Sequence, residues 1–371
     1  MLVSPKLVAS WRTILLGAAR VLGAVALGLV AAAFYDSQEE PVAISACVES
    51  ESIHPEGDAD DPAIWVNRAS PGDSVVISTD KQAGLHLYDL AGRELQFVPL
   101  GKTNNVDLRP DFPFPDGHAP IIAATNRTDQ TVMLFRFDEE ARRIDPEPVA
   151  RWPGFRKGAG VCLYHAKDGS IQVGVTDGDE GFFKQWRLVI GSGGTITPQL
   201  VRSFQLKPNA QAEACVYDDA LHRLYIAQER IGIWRFPAES DDGESGILID
   251  RVGGDDFPPD VEGLAILQRE DGTGYLIASN QGNSTFRIYR REGKNPYLGR
   301  FRIAGCRDGT VDAVTATDGI EVVNDSLGSE WPAGMLVVHD DGNRVGSKKL
   351  PNLKFVRWDK VQQLIDSWNA D

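Results

Sequence analysis

The stretch 74–88, SVVISTDKQAGLHLY, contains two short apolar runs separated by a polar turn. The runs are Ser74-Val75-Val76-Ile77-Ser78 and Gly84-Leu85-His86-Leu87-Tyr88, and both are rich in β-branched or aromatic residues. Runs of this kind, bounded by Gly and Asp, predict β-strands. Similar runs follow along the chain, and after residue 47 the only helical spacing is at 360–368. The sequence therefore predicts an all-β protein with a short C-terminal helix.

A strand that ends in an aromatic residue and is followed by a turn forms a loose repeat. It recurs at Tyr88, Phe135, Trp186, Trp234 and Tyr289, and a related strand lies at 334–338. The spacing of about 50 residues is that of one four-stranded propeller blade, and about six such units fit after residue 50. We therefore predict a six-bladed β-propeller with about four strands per blade, in preference to two β-sandwiches with accidental spacing.

The charge of the chain limits the possible partners. The 371 residues include 38 Lys and Arg against 53 Asp and Glu, a formal net charge of -15. Nucleic-acid binding needs a basic surface, so that function is excluded. An acidic protein can still bind an anion through bound cations, which reverse the local field. We expect a monomer that acts on a small molecule.

The N-terminal residues predict export. Lys6, Arg12 and Arg20 precede an apolar run over 21–33, a length typical of the core of a signal peptide. We interpret 1–33 as a signal peptide or an N-terminal membrane anchor, 34–47 as a linker and 48–371 as the propeller. The protein is then secreted or periplasmic, or it stays anchored to a membrane by its N-terminus.

The four cysteines are Cys47, Cys162, Cys215 and Cys306, and their wide spacing contains no CxxC metal motif. Export permits disulfides, but the spacing does not decide which cysteines pair. Cys162 and Cys215 lie in apolar runs, so we interpret these two as small buried thiols.

Carboxylates are concentrated in short segments between the predicted strands. Calcium and similar hard cations take six to eight oxygen ligands, which loops converging on one face of a propeller can supply. The segment Asp58-Ala59-Asp60-Asp61-Pro62 is the first of these, and Ala63 at the sixth loop position rules out an EF-hand. The candidates are Glu49, Asp58, Asp60, Asp61, Glu213, Glu229, Asp260, Glu262, Asp308, Asp312, Asp318 and Glu321.

Several reaction classes have no support in the sequence. The six histidines are scattered without an HExxH pattern, and the chain contains no GxSxG elbow and no Walker loop. Lys81, Arg109 and Arg127 follow polar residues at predicted strand ends. Such cations bind phosphate or form structural salt bridges, and the pattern leaves both alternatives open.

Ordered motifs over about 49–358 resemble those of the β-propeller (alkaline) phytases of Bacillus and Gram-negative bacteria. They are Asp58-Ala59-Asp60-Asp61-Pro62-Ala63-Ile64-Trp65, Asn104-Asn105-Val106-Asp107-Leu108-Arg109, Arg223-Leu224-Tyr225-Ile226-Ala227, Asp260-Val261-Glu262-Gly263-Leu264, Ser279-Asn280-Gln281-Gly282-Asn283-Ser284 and Thr317-Asp318-Gly319-Ile320. The resemblance implies a six-bladed propeller with several Ca²⁺ ions in an acidic cleft at one end. It also implies a 3-phytase type of activity, in which a metal-bridged water removes phosphates from phytate (myo-inositol hexakisphosphate) and lower inositol phosphates.

The resemblance also implies a role for each candidate residue. The ligands of tightly bound structural ions would be Asp61, Asp308 and Asp318. The ligands of catalytic ions would be Glu49, Asp60, Glu213, Asp260 and Glu262. Substrate would contact Lys81, Arg109, Arg127 and Glu229. The residues expected to carry catalysis are Glu213, Asp60, Glu262, Lys81 and Arg127.

Three positions depart from the pattern of the family. Ala159 stands where Bacillus members have Tyr, Gln82 where they have a second Lys, and Asp179 where a phosphate-binding Lys is expected. Lys184 is nearby, but it could replace that Lys only if the loop were reshaped. These losses keep two other hypotheses open: a calcium-binding propeller without catalysis, and a calcium-dependent hydrolase of the lactonase class.

Overall fold

A computed structural model of the protein describes residues 40–53 and 57–369. In chain order, the first strands are β1 (Val42–Ser45), β2 (Val48–Glu49), β3 (Ala59–Trp65), β4 (Val75–Asp80), β5 (Gly84–Tyr88), β6 (Glu94–Pro99), β7 (Thr103–Phe114), β8 (Gly117–Asn126), β9 (Thr131–Asp138), β10 (Arg143–Ile144), β11 (Ala150–Pro153), β12 (Gly158–His165), β13 (Ile171–Asp177) and β14 (Phe182–Ile190). The later strands are β15 (Ile196–Gln205), β16 (Ala212–Asp218), β17 (Arg223–Gln228), β18 (Gly232–Pro237), β19 (Ile247–Arg251), β20 (Val261–Gln268), β21 (Gly274–Asn280), β22 (Thr285–Arg290), β23 (Tyr297–Ala304), β24 (Ile320–Val323), β25 (Met335–Asp340), β26 (Arg344–Val345), β27 (Lys348–Lys349) and β28 (Asn352–Arg357). Short 3₁₀ helices lie at Pro71–Asp73 and Gln281–Asn283, and the α-helix α1 spans Trp358–Trp368.

Six sheets form the blades of a propeller, which confirms the predicted fold. Blades 1 to 4 are β3-β4-β5-β6, β7-β8-β9-β10 with β11 beside β9, β12-β13-β14-β15, and β16-β17-β18-β19. Blade 5 is β20-β21-β22-β23 with β1 outside it, and blade 6 is β24-β25-β28-β2. The first strands of the blades contact one another in the closed circuit β3, β7, β12, β16, β20, β24 and back to β3, so they line the centre.

The aromatic repeat marks one position in the blades. Tyr88, Phe135, Trp186, Trp234 and Tyr289 all lie on the third strand of blades 1 to 5. The related run at 334–338 differs, because it is the second strand of blade 6. Each aromatic side chain packs in the layer that faces the preceding blade, and each hydrophobic cluster lies between two neighbouring blades. The core therefore consists of six layers between blades, which explains why one blade cannot fold alone.

The N-terminal strands close the ring. β1 pairs in parallel with β23 of blade 5, and β2 pairs antiparallel with β28 of blade 6. The prediction of a linker over 34–47 is thus wrong for the last part of that segment, because Val42–Ser45 is a paired strand. The outermost strand of a blade has backbone N–H and C=O groups without a partner strand. The N-terminal strands β1 and β2 form hydrogen bonds with these groups on β23 and β28. The predicted signal or anchor segment, 1–33, lies outside the described residues.

Both pairs of cysteines form disulfides. Cys47, directly after β1, is bonded to Cys306, which follows β23. Cys162 on β12 is bonded to Cys215 on β16, so blades 3 and 4 are joined next to the channel. The interpretation of Cys162 and Cys215 as free buried thiols is therefore wrong, because the ring places their two strands side by side. Two disulfides are typical of proteins in an oxidising, extracellular environment.

The predicted C-terminal helix is confirmed by α1, which buries Trp358, Val361 and Ile365 against blades 5 and 6. Within 40–53 and 57–369, α1 is far too short to cross a membrane, and the structure has no helix there that could.

Candidate metal centre at the mouth of the channel

A β-bulge interrupts the beginning of the innermost strand in each of blades 1 to 5. The register of these strands against their neighbours shifts between Ala59 and Pro62, Thr103 and Val106, Gly158 and Val161, Ala212 and Ala214, and Val261 and Leu264. A bulge places an extra residue in one strand and changes the direction of its side chains. Asp60, Asp61, Glu213 and Glu262 all lie within these bulges. The repeated irregularity therefore places candidate residues from different blades around one opening.

Hydroxyl groups on the second strands hold the bulges of the next blades. The Oγ1 atom of Thr79 donates to the carbonyl of Asn104 at 2.7 Å, and that of Thr125 donates to the carbonyl of Ala159 at 2.8 Å. Ser279 donates in the same way to the carbonyl of Asp318. In each case an Asp or Asn follows the hydroxyl residue. This short repeat, Thr or Ser before Asp or Asn, is a signal that our sequence analysis missed.

Four candidate carboxylates line a single cavity at the mouth of the channel. Asp60, Glu213, Glu262 and Asp318 come from blades 1, 4, 5 and 6, and the amides of Asn104 and Asn105 complete the wall. The ammonium of Lys81 lies between two of these carboxylates, 3.0 Å from Oδ1 of Asp60 and 2.9 Å from Oδ2 of Asp318. Residues separated by more than 250 positions in the chain thus share one polar site.

A second group of carboxylates adjoins the first. Oxygen atoms of Glu229, Asp260 and Glu262 all lie within 4.8 Å of one another, so the three could hold one metal ion. Asp260 has a positive φ of 82°, which is costly for a residue with a Cβ atom and is found mostly at functional sites. Because Glu262 belongs to both groups, we call the six carboxylates together the acidic cluster. Its members are Asp60, Glu213, Glu229, Asp260, Glu262 and Asp318.

The protonation of the acidic cluster reflects an excess of negative charge. Burial, reinforced by the neighbouring carboxylates, raises the pKa of Glu262 well above its usual range. Burial also raises the pKa of Glu213 to about 7, although Arg127 opposes the shift. Burial would raise the pKa of Asp318 as well, but His339 and Lys81 outweigh it and lower that pKa to about 2. His339 and Lys81 therefore stabilise the ionised form of Asp318, whereas the charge of Arg127 does not offset the burial of Glu213.

The residues of the acidic cluster fit a bound metal ion. The Oδ1 atom of Asn104 is buried in the wall of the cavity and has no hydrogen-bond partner within the described chain. A buried amide oxygen without a partner is unfavourable, and coordination of a cation would satisfy it. Carboxylate and amide oxygens are the ligands that hard cations prefer. The arrangement is therefore compatible with metal binding.

Asp61 points to a different place from Asp60. It lines a cavity deeper in the channel together with Asp107 and Glu321, and its Oδ2 atom accepts the N–H of Val106 at 3.1 Å. Burial raises the pKa of Asp61 to about 8. Gly319 packs against it so closely that a Cβ atom there would lie 2.4 Å from Oδ1 of Asp61. Asp318, which we assigned to the same class of ion as Asp61, lies instead with Asp60.

Arg109 also lies in the channel. Its guanidinium contacts Asp107 at 3.2 Å and Asp219 at 3.3 Å, and it donates to the carbonyl of Leu163. These partners occupy the group in a structural role. Its predicted contact with phosphate therefore has no support from its position.

Glu49 and Asp308 are separated from the acidic cluster. Glu49 contacts the ammonium of Lys354, a side chain that is 0 % exposed. Asp308 is exposed after β23, in the outer part of blade 5, and its carboxylate accepts from Thr310 in the same turn. Asp308 follows an outer strand, whereas Asp318 precedes the inner strand β24, so the two predicted ligands of structural ions lie in different parts of the ring.

The buried ammonium of Lys354 has a full set of oxygen partners, which we call the Lys354 cage. Besides Glu49, it contacts Oδ1 of Asp312 at 2.7 Å and Oδ2 of Asp340 at 3.2 Å. The amide oxygens of Asn343 and Asn352 each lie at 3.0 Å. Because Glu49 is on β2 and Lys354 is opposite it on β28, the cage joins the first and last parts of the ring.

The remaining cations divide between the mouth of the channel and the outside. Arg127 donates from Nε to the carbonyl of Gly158 at 2.9 Å, beside Ala159 at the bulge of blade 3. Lys184 places its ammonium 4.3 Å above the ring of Phe155. Asp179 contacts Arg156. Arg127 lies near enough to the acidic cluster for its charge to act on Glu213, whereas the ammonium of Lys184 contacts the ring of Phe155.

Comparison with known proteins agrees with this geometry. Penicillium chrysogenum α-L-arabinanase, solved with arabinobiose, superposes with a TM-score of 0.54 over 86% of this chain and 99% of the enzyme, at 11% identity, which shows a shared fold alone. The family model described as Phytase matches residues 12–370. A 3-phytase from Bacillus subtilis (strain 168) is 37% identical over 341 residues, which cover 89% of this chain and 87% of that protein. The chain therefore belongs to the phytase family.

Proposed function

We propose that this protein is a calcium-dependent phosphomonoester hydrolase that removes phosphates from phytate and lower inositol phosphates. The observation that carries the proposal is the acidic cluster at the mouth of the channel, with Lys81 and Arg127 beside it, in a chain of the phytase family. The named activity of the Bacillus subtilis relative, 3-phytase, supports the same substrate.

The donor set favours calcium among the common metals. The cluster and its wall offer carboxylates from Asp60, Glu213, Glu229, Asp260, Glu262 and Asp318 and amide oxygens from Asn104 and Asn105. Calcium binds six to eight oxygens, whereas zinc sites use mainly histidine and cysteine. Bound calcium supplies a Lewis acid and neutralises the charge on the phosphoryl oxygens.

The residues of the chain position and stabilise the substrate. Lys81 is placed between Asp60 and Asp318, and it is free to turn one or more of its three donors to a phosphate when a metal takes over those carboxylates. Arg127 approaches from blade 2 and can form forked hydrogen bonds to phosphoryl oxygens. Glu213 has a pKa of about 7, raised by burial, and it can hold or accept a proton near neutral pH.

We further propose that the protein works outside the cytoplasm as a monomer. The two disulfides support an oxidising compartment. The acidic surface, with a formal net charge of -15, suits a protein whose anionic substrate arrives with calcium.

The test is a calcium-titrated assay of phosphate release from phytate near neutral pH. We expect release by the parent protein, loss with a chelator and recovery when calcium is restored. Glu213→Gln keeps the shape of the side chain but removes its charge, and it should lower activity by at least about 100-fold, since even supporting residues of metal sites cost 10- to 100-fold. Asp241→Asn, in an exposed turn, is the matched control and should stay within about twofold.

Each other outcome has a distinct meaning. A parent protein that releases no phosphate at any calcium concentration refutes the proposal. Tight binding of phytate without turnover favours the calcium-binding propeller without catalysis. Hydrolysis of lactones without phosphate release favours the lactonase class.

A further inference from the structure

Lys157 is a further cation at the mouth of the channel. It occupies the turn between β11 and β12, directly before the bulge of blade 3. Its carbonyl accepts the N–H of Gly178 at 2.9 Å, which ties this turn to the loop after β13. A Cβ atom at Gly178 would lie 3.5 Å from Nη2 of Arg127, so Arg127 reaches the same place. The backbone of Lys157 is therefore fixed beside the candidate site.

The side chain of Lys157 is linked to the acidic cluster. Its ammonium donates to Oε1 of Gln211, and Nε2 of Gln211 donates to Oε1 of Glu229. Burial raises the pKa of Glu213, and the positive charges of Arg127, Lys157 and Lys81 oppose that shift. These three cations therefore surround Glu213 closely enough to act on its charge.

Lys157 keeps donors available for a ligand. Its side chain is 36% exposed, and its nearest carboxylate, that of Asp179, is 3.8 Å away, beyond hydrogen-bond distance. Arg156 contacts the same carboxylate and offsets its charge. The carboxylate of Asp179 is thus shared between two cations. An ammonium has three donors, and Gln211 uses one of them.

Lys184, the other lysine near this loop, is less well placed than Lys157 to contact a ligand at the mouth of the channel. Its ammonium lies 4.3 Å above the ring of Phe155, and it belongs to β14, the third strand of blade 3 rather than the innermost one. A cation–π contact of this kind occupies the charge. Lys157 is therefore the better placed of the two lysines.

We propose that Lys157 binds a phosphate group of the substrate other than the one being removed, and so makes the enzyme selective for polyphosphorylated inositols. The inference rests on the proposed function. Phytate carries several phosphates around one ring, so a phosphate at the metal site leaves neighbours that need cations of their own. A lysine ammonium can bind these neighbouring phosphates, because it is a point charge on a flexible side chain. A simple phosphate monoester has no second phosphate and gains much less from Lys157.

The experiment compares the parent protein with Lys157→Met, Lys157→Arg and Lys184→Met, all loaded with calcium. Calorimetry measures the Kd for myo-inositol hexakissulfate, which cannot be hydrolysed as a phosphate. Kinetics then give KM and kcat for phytate and for 4-nitrophenyl phosphate. We expect Lys157→Met to raise the Kd and the phytate KM by about tenfold, the scale of one charge-assisted hydrogen bond at a partly exposed site. Lys157→Arg should restore most of the affinity, and kcat should fall by less than the Kd rises.

Two controls separate binding from folding and from the proposed function. The unfolding midpoint of each variant shows that it is folded, and in Lys157→Met the KM for 4-nitrophenyl phosphate should rise by much less than the KM for phytate. An unchanged Kd in Lys157→Met, or an equal rise in Lys184→Met, overturns this inference while phytase activity stands. A parent protein that does not hydrolyse phytate overturns the proposed function, and the hexakissulfate Kd values then decide the role of Lys157 alone.

Discussion

The Lys354 cage and the acidic cluster both gather carboxylates that are distant in sequence, but they balance the negative charge differently. In the cage, a buried ammonium lies among Glu49, Asp312 and Asp340, and two amide oxygens complete its shell. In the cluster, Lys81 contacts Asp60 and Asp318. Arg230, 75% exposed, lies 4.0 Å from Glu229 at the edge of the triad of Glu229, Asp260 and Glu262. The carboxylates of the cage are neutralised by a lysine of the chain itself, whereas those of the cluster are arranged to bind a metal ion from solution.

The difference shows what makes an acidic site structural or functional. A carboxylate cage that is closed by a lysine holds the ends of the ring together whatever the metal concentration. Burial raises the pKa values of Glu213 and Glu262, so the cluster is costly to ionise fully in the absence of a metal, and this cost makes the site responsive to calcium. The three predictions below test that division.

Lys354→Met should have the largest effect on stability. Removing the ammonium leaves the fully buried carboxylate of Asp340 without its cation, and breaking a buried ion pair in this way costs about 3–5 kcal/mol. Urea unfolding should show this loss both with and without calcium. Lys349→Met is the matched control, because its ion pair with Asp341 is on the surface and such pairs contribute about 0–1 kcal/mol. Full rescue of Lys354→Met by calcium would contradict the division, since the cage would then be a metal site.

Calcium should remove the pH dependence of stability that the acidic cluster causes. Without metal, the folded protein holds Glu213 at a pKa of about 7, raised by burial, so it binds more protons than the unfolded chain. Its free energy of unfolding therefore falls as the pH rises from about 4.5 to 7, by at most about 1.4 kcal/mol per pH unit for one group. With calcium bound, the carboxylates are ionised in the folded state, as they are in the unfolded chain above about pH 5.5, so the stability should be nearly independent of pH from there to 7.

Urea unfolding at several pH values, with calcium and with a chelator, measures the two slopes. The ammonium of Lys354 adds no slope in this interval. Burial lowers the pKa of Lys354, but its carboxylate partners outweigh this and raise it, so its contribution is present below about pH 10.5. Equal slopes with calcium and with the chelator would show that the cluster does not bind the metal.

Asp308→Asn should have the smallest effect. Asp308 is exposed and bonded only within its own turn in the contacts that the structure describes, so stability should change by less than about 0.5 kcal/mol and activity by less than twofold. Asp312→Asn is the informative companion, because it removes a partner of the buried Lys354 and should lower the free energy of unfolding more. A strong loss of calcium binding in Asp308→Asn would restore the role that the family resemblance implies.

The fold was accessible from the sequence because a propeller repeats its packing. An aromatic residue on the third strand of blades 1 to 5 fills the layer toward the preceding blade, so Tyr88, Phe135 and their equivalents appear at regular intervals. A regular repeat of this kind can be detected in a single amino-acid sequence. The strand β1 carries no such signal, because its pairing partner, β23, is more than 250 residues away.

The site was accessible only in part. Asp60, Glu213, Glu262 and Asp318 were expected to bind metal, and they line one cavity. Their sharing of that cavity depends on bulges that change side-chain direction by a single extra residue, which residue types alone do not reveal. Asp308 was misplaced for a related reason, since the ten positions from Asp308 to Asp318 cross from the outer to the inner part of the ring.

By itself, the sequence determined the blade repeat, the excess of carboxylates and the absence of motifs for nucleophilic or zinc chemistry, since these follow from residue types and their spacing. Only the tertiary structure decided which carboxylates meet a lysine and which meet one another. Electrostatic energies in a buried site depend on distances of a few ångströms between groups that are far apart in the chain. Glu49 and Glu262 are the same residue type, and the ring alone places one beside Lys354 and the other in the acidic cluster.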